Sequence, residues 1–88
     1  MNEFNPPTYR YITMSGVYVL RSGAAVLGSV AINIGISGQA FRIQDGSGGP
    51  VVANVEPDLS RSLQYNVALR SGLTVVVNNS CDVTIVYQ

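Results

Sequence analysis

Leu63-Gln64-Tyr65-Asn66-Val67-Ala68-Leu69-Arg70-Ser71-Gly72-Leu73-Thr74-Val75-Val76-Val77 holds, in fifteen residues, the pattern from which the rest of the chain is built. Leu63, Tyr65, Val67 and Leu69 alternate with Gln64, Asn66, Ala68 and Arg70, a period of two that belongs to a strand with one wet face. Ser71-Gly72 then supplies turn chemistry, and a second, more apolar run begins at Leu73. No helical spacing of apolar residues appears here or elsewhere in the chain.

On either side of it, the same alternation recurs between glycine, serine, asparagine and proline punctuation. Tyr9–Met14, Val17–Arg21, Val26–Ile34, Ala40–Gln44, Val51–Val55, Leu73–Asn78 and Val83–Tyr87 each read as a short strand. Gly28, inside the third run, predicts a β-bulge or a close backbone approach. Asp45-Gly46-Ser47-Gly48-Gly49-Pro50 predicts a tight reversal, because glycine supplies the positive φ angles that such turns need. About eight antiparallel strands at near-regular spacing indicate an all-β fold, a β-sandwich or small barrel. Arg21-Ser22-Gly23 and Arg70-Ser71-Gly72 echo each other, and shared turn chemistry suffices to explain three residues. The chain divides into an extended arm over residues 1–8, where Pro6-Pro7 forbids helix, and a β domain over residues 9–88.

Length and composition bound the function. A chain of 88 residues buries only about 60–65% of its unfolded surface, against about 1.5 kcal/mol of ordering entropy per residue. Small domains usually gain the balance from disulfides, a metal or association. The single cysteine, Cys81, forms no internal disulfide, and the absence of histidine removes the usual zinc ligand sets. Association is what remains.

Charged residues make up 11% of the chain, and five arginines balance five acids with no lysine. That surface offers no electrostatic footprint for nucleic acid or for an anionic membrane. It reads either as a surface covered by partners or as a neutral Ser/Asn/Gly surface. Two apolar residues strengthen the first reading. Val76 and Val86 fall on the face opposite Val75, Val77 and Ile85, where a one-sided sheet would be polar. They are candidate interface residues, together with Phe4, Pro6 and Pro7 of the arm. Phe4 is either a tail residue or an anchor that docks on a neighbour.

Catalytic options are few. Without histidine or lysine, Ser-His-Asp, Cys-His, Ser-Lys and Schiff-base arrangements are all absent. Glu56 and Asp58 flank Pro57 as a solvated turn. Asp45–Gly49 lacks the lysine of a phosphate loop and the alternating acids of a calcium loop. Cys81 reads as a small buried hydrophobe, with an intermolecular disulfide as its alternative. The expectation is therefore no enzyme, no cofactor and no metal. Tyr9 and Tyr11 share one strand face and suit either interface packing or sugar stacking, whereas Tyr65 and Tyr87 fall in register with the core. Met1–Thr8 has no basic patch leading into an apolar run, so the expectation is synthesis in a cytoplasm without a secretory leader.

The order of several motifs resembles a group of small tailed-bacteriophage virion proteins. Ser22–Leu27 matches an SGAGVL segment, with Ala25 where that group has glycine. Ile43–Gly46 matches an IxDG hairpin, Tyr65–Val67 a YNV strand, Gly72–Val75 a GL-T-V strand, and Asp82–Tyr87 a terminal DVTVxY-like strand. The likeness covers roughly residues 17–88 and leaves the arm unmatched. The resemblance implies a jelly-roll-like β-sandwich located in the virion. It further implies a homo-oligomeric, trimeric decoration or cement protein that bridges capsomers and binds the major capsid protein. Its alternative is a receptor- or glycan-binding module on a tail or fibre, with Tyr9, Tyr11 and the loops 45–50 and 56–61 as contact surface.

Overall fold

The computed structural model describes residues 7–35 and 40–88; Phe4 and Pro6 fall outside them. The described chain forms eight strands and no helix: β1 (Thr8–Ile12), β2 (Gly16–Ser22), β3 (Ala25–Ile32), β4 (Phe41–Asp45), β5 (Val51–Val55), β6 (Arg61–Leu69), β7 (Gly72–Val77) and β8 (Val83–Tyr87). They pair into two four-stranded sheets, of order β1-β8-β3-β6 and β2-β7-β4-β5. Every pairing is antiparallel. Only β4 and β5 pair with a sequence neighbour; every other connection carries the chain from one sheet to the other.

Alternation decides what each strand buries. Leu27, Val30, Ile32, Val83 and Ile85 of the first sheet and Phe41, Ile43, Leu73, Val75 and Val77 of the second form one buried cluster. Both sheets therefore share a single core, and truncating its largest member, Phe41, to alanine costs about 3–5 kcal/mol. Tyr65 and Tyr87 pack against that core, as their register requires. Arg10 on β1 sets its guanidinium 5.4 Å from the ring centre of Tyr18 on β2. That cation–π contact joins the two sheets at their β1 and β2 edges and adds roughly 0.5–1 kcal/mol.

The bulge predicted at Gly28 is present. The β3 register shifts between Leu27 and Ser29 against both β6 and β8, which is why Leu27 and Val30, three apart, both point inward. A Cβ at Gly28 would stand 3.0 Å from the Val86 carbonyl oxygen. The echo of Arg-Ser-Gly triplets has a spatial counterpart, since Ser22 pairs with Gly72 and the Gly23 amide donates to the Ser71 carbonyl at 3.2 Å. Gly72 has φ +137, and a side chain there would run into the Arg21 carbonyl, so the two turns interlock through backbone.

Several strand boundaries differ from the sequence-based expectation, among them the start of β6, which begins at Arg61 and not Leu63. Thr8, assigned to the arm, belongs to β1 and pairs with Tyr87. β1 ends at Ile12 and β3 at Ile32, which leaves Met14 and Ile34 outside the strands and exposed. Apolar character continues past both ends, but the backbone there turns to cross between sheets.

Candidate functional site

The outer face of the β1-β8-β3-β6 sheet carries a strip of aromatic and polar side chains. The register sets Tyr9 opposite Val86 and Tyr11 opposite Thr84. Val86 in turn faces Ser29, and Thr84 faces Ala31. Beyond them, Gln64 lies opposite Ser29 and Ser62 opposite Ala31. Tyr9 and Tyr11 are 69% and 53% exposed. At an antiparallel rise of about 3.4 Å per residue, the two side chains stand roughly 7 Å apart along β1.

Asp82, just before β8, organises one end of this strip. The Tyr11 hydroxyl donates to Asp82 Oδ2 at 3.0 Å. Asn33 Nδ2 donates to Asp82 Oδ1 at 3.2 Å and to Thr84 Oγ1 at 3.2 Å. The backbone pins the same corner, where the Asn33 amide donates to the Asp82 carbonyl at 2.9 Å. The hydrogen bond to Asp82, followed by desolvation and the carboxylate's charge, raises the Tyr11 hydroxyl above its ordinary pKa.

Past Val86 the same face sinks into an open depression of about 260 Å³, bordered by Pro7, Gly28, Ser29, Gln64, Asn66 and Val86 among others. The bulge and the missing side chain of Gly28 make this hollow. On its far side Asn66 holds φ at +54, the one non-glycine residue with positive φ among those described. Asparagine tolerates that conformation better than most residues, and here it accommodates the extra residue of the bulged pairing.

The outer face of the other sheet is unlike this one. On edge strand β2, Val17 and Val19 point away from the core and are 63% and 52% exposed. They lie opposite Val76 and Thr74 of β7, which in turn lie opposite Arg42 and Gln44 of β4. Val76 retains only 9% exposure, and Thr74 none. The Thr74 hydroxyl is buried without a hydrogen-bond partner. The β2–β7 half of this face is therefore apolar, and the β4–β5 half carries Arg42, Gln44 and Asn54.

The residues singled out from sequence thus separate. Val76 and Val86 lie in different sheets, one on each outer face, so no single flat contact covers both. Tyr9, Tyr11 and Val86 share a face, with Pro7 at its depression. Val17 and Val19 are not among the residues singled out from sequence, although the apolar run Val17-Tyr18-Val19-Leu20 carries the same signal that marks Val76. Asn33 and Asp82 carry no sequence signal, because 49 residues separate them and only the crossing between sheets brings them together.

The remaining chemical groups have structural settings. Asp45 accepts from the Ser71 amide at 2.7 Å and the Arg70 amide at 3.2 Å. Those bonds hold its carboxyl below the ordinary carboxylate pKa and tie the β4–β5 turn to the β6–β7 turn. Asp58 lies 3.7 Å from Arg61 on the surface. Cys81 is buried, its thiol 3.5 Å from the Ile12 carbonyl, and desolvation pushes its pKa up; a disulfide to another chain would require this segment to open. Among the described residues, no three His, Cys, Asp or Glu side chains cluster to hold a metal ion.

Comparison with protein-family models, with curated proteins and with solved structures yields no match to this chain.

Proposed function

We propose that this chain is a non-catalytic structural subunit of a bacteriophage virion, which associates with copies of itself, as a trimer, and decorates the capsid by contacting the major capsid protein. The observation that carries the self-association is the apolar half-face of the second sheet, where exposed Val17 and Val19 flank Val76. Exposed apolar side chains on an edge strand are a liability in a monomer, and covering them with a second copy removes it. Small size and low charge support the same reading, and the order of motifs from Ser22 to Tyr87 supports the virion setting.

The fold is read as a jelly-roll sandwich. Strand orders β1-β8-β3-β6 and β2-β7-β4-β5, antiparallel throughout, fit an eight-stranded chain wound as two Greek keys, an architecture common in viral shells.

Sedimentation equilibrium of the chain with Val17→Asp and Val19→Asp together is the direct test. Both positions are exposed, so the fold should persist by circular dichroism while the mass falls from multimer to monomer. A wild-type monomer, or a double variant of unchanged multimeric mass, would overturn the assembly surface. Binding of the wild-type chain to shells lacking it, with loss in the double variant, tests the decorating role.

A further inference from the structure

We infer that the outer face of the β1-β8-β3-β6 sheet is a binding site for a neutral oligosaccharide, stacked on Tyr9 and Tyr11 and hydrogen-bonded by Asp82, Asn33 and Thr84. It is independent of the assembly surface proposed above, which lies on the opposite sheet.

A sugar ring presents two kinds of surface: a patch of C–H groups, and hydroxyls that need directional partners. Aromatic rings with a polar tip match the first. The two tyrosines are exposed and, at two-residue spacing on one strand, stand roughly 7 Å apart, so both can lie against one extended glycan chain. The Tyr11 ring is not left to swing, because its hydroxyl is held by Asp82 at 3.0 Å. Little ordering entropy is then lost when a ligand settles on it.

The second requirement is met beside the rings. An ionised carboxylate offers about four acceptor positions, and Asp82 uses two of them on Tyr11 and Asn33. Two acceptor positions remain for ligand hydroxyls. Thr84 Oγ1 accepts from Asn33 and keeps its own proton to donate. A group that accepts and a group that donates thus stand side by side, fixed by neighbours on β1 and β3.

Charge selects the ligand class. The four strands place no arginine on this face; Arg10 and Arg61 fall at inward register positions, opposite Ile85 and Ile32. Phosphorylated, sulfated and sialylated ligands would find no cation here and would meet the Asp82 carboxylate. A neutral glycan avoids that repulsion, and its chain can continue past Val86 into the hollow at Gly28, where Ser29, Gln64 and Asn66 offer further polar contacts.

The experiment is a ¹⁵N-HSQC titration of the full chain with maltohexaose, cellohexaose, chitohexaose and galactan-derived hexasaccharide, with a heparin hexasaccharide as the anionic probe. At least one neutral hexasaccharide should shift the amides of Tyr9, Tyr11, Asp82 and Thr84 with saturation, and heparin should not. Tyr9→Ala should weaken that binding about tenfold, and Tyr11→Phe by about threefold, since it keeps the ring and frees it from Asp82. Val17→Asp with Val19→Asp should leave the affinity unchanged, which separates this site from the assembly surface. Silence from every neutral probe, shifts confined to loops 45–50 and 56–60, or binding that survives Tyr9→Ala would overturn the inference. So would a change of sedimented mass in Tyr9→Ala without sugar, which would mark the face as a contact between copies.

Discussion

The two outer faces of this protein stand on the same kind of pleat and differ in chemistry toward their β1 and β2 edges. On one, tyrosines, Asn33, Asp82 and Thr84 form bonded contacts around open polar surface. On the other, Val17, Val19 and Val76 lie together, and a threonine hydroxyl is buried without a partner. Both faces turn away from a shared core, so core packing explains neither. A sheet that only had to cover that core would be polar on its outside and would need no particular arrangement there. On this contrast rest the proposed assembly surface at the apolar edge and the proposed sugar site on the aromatic–polar face.

Substitution on the apolar face separates fold from assembly. Val76→Asp should destabilise the chain by about 2–4 kcal/mol in urea denaturation, since it buries a carboxylate that Arg42 opposite offsets only in part. Val17→Asp alone, on the same row but exposed, should leave the dissociated chain, compared at protein concentrations below assembly, within about 0.5 kcal/mol of wild type. Equal effects at the two positions would mean that the face is not graded from edge to centre.

The other face is most sensitive at its bulge. Gly28→Ala should cost about 1–3 kcal/mol, because its Cβ meets the backbone oxygen of Val86, which cannot rotate away. An unchanged urea midpoint would show that β3 and β8 are less closely apposed at that point. Thr74→Val should raise stability by about 1 kcal/mol, since it replaces an unpartnered buried hydroxyl with a methyl group of similar shape. A loss instead would reveal that the hydroxyl is bonded in the assembled protein, and a comparison at high and low protein concentration would distinguish the two.

The smallest effect belongs to the turns between the faces. Asp45 has a folded pKa below its unfolded value of 3.8. Its contribution to stability is therefore fully present above that value and is lost as pH falls through the lower folded pKa. Asp45→Asn should flatten this part of the acid limb of stability against pH, with little change at neutral pH beyond the weakened amide contacts. An identical acid limb in the variant would remove Asp45 from the linkage.

Much of the architecture is legible in the amino-acid sequence. Period-two alternation and short apolar runs between turn residues mark the eight strands, and Gly28 marks the bulge, because a strand's faces and a glycine's permissiveness are local properties. The hairpin at Asp45–Pro50 is legible for the same reason. Which strands are neighbours is not legible. Val76 and Val86 look like one surface because β7 and β8 are adjacent in sequence, yet the chain crosses between sheets there and places them on opposite sides. The candidate site divides the same way: Tyr9 and Tyr11 announce themselves by sharing a strand face, while Asn33 and Asp82 do not.

The amino-acid order alone specifies an all-β chain with two strongly apolar strands, few charges and none of the histidine- or lysine-dependent catalytic sets. Those properties follow from composition and from the two-residue period of the extended backbone. Tertiary pairing sets which outward residues share a face, because antiparallel contacts between strands far apart in the chain fix the register. It also joined Tyr11, Asn33 and Asp82 into one corner, and put Val17 and Val19 beside Val76. Side-chain alternation is fixed within a strand, but a face is assembled across four of them.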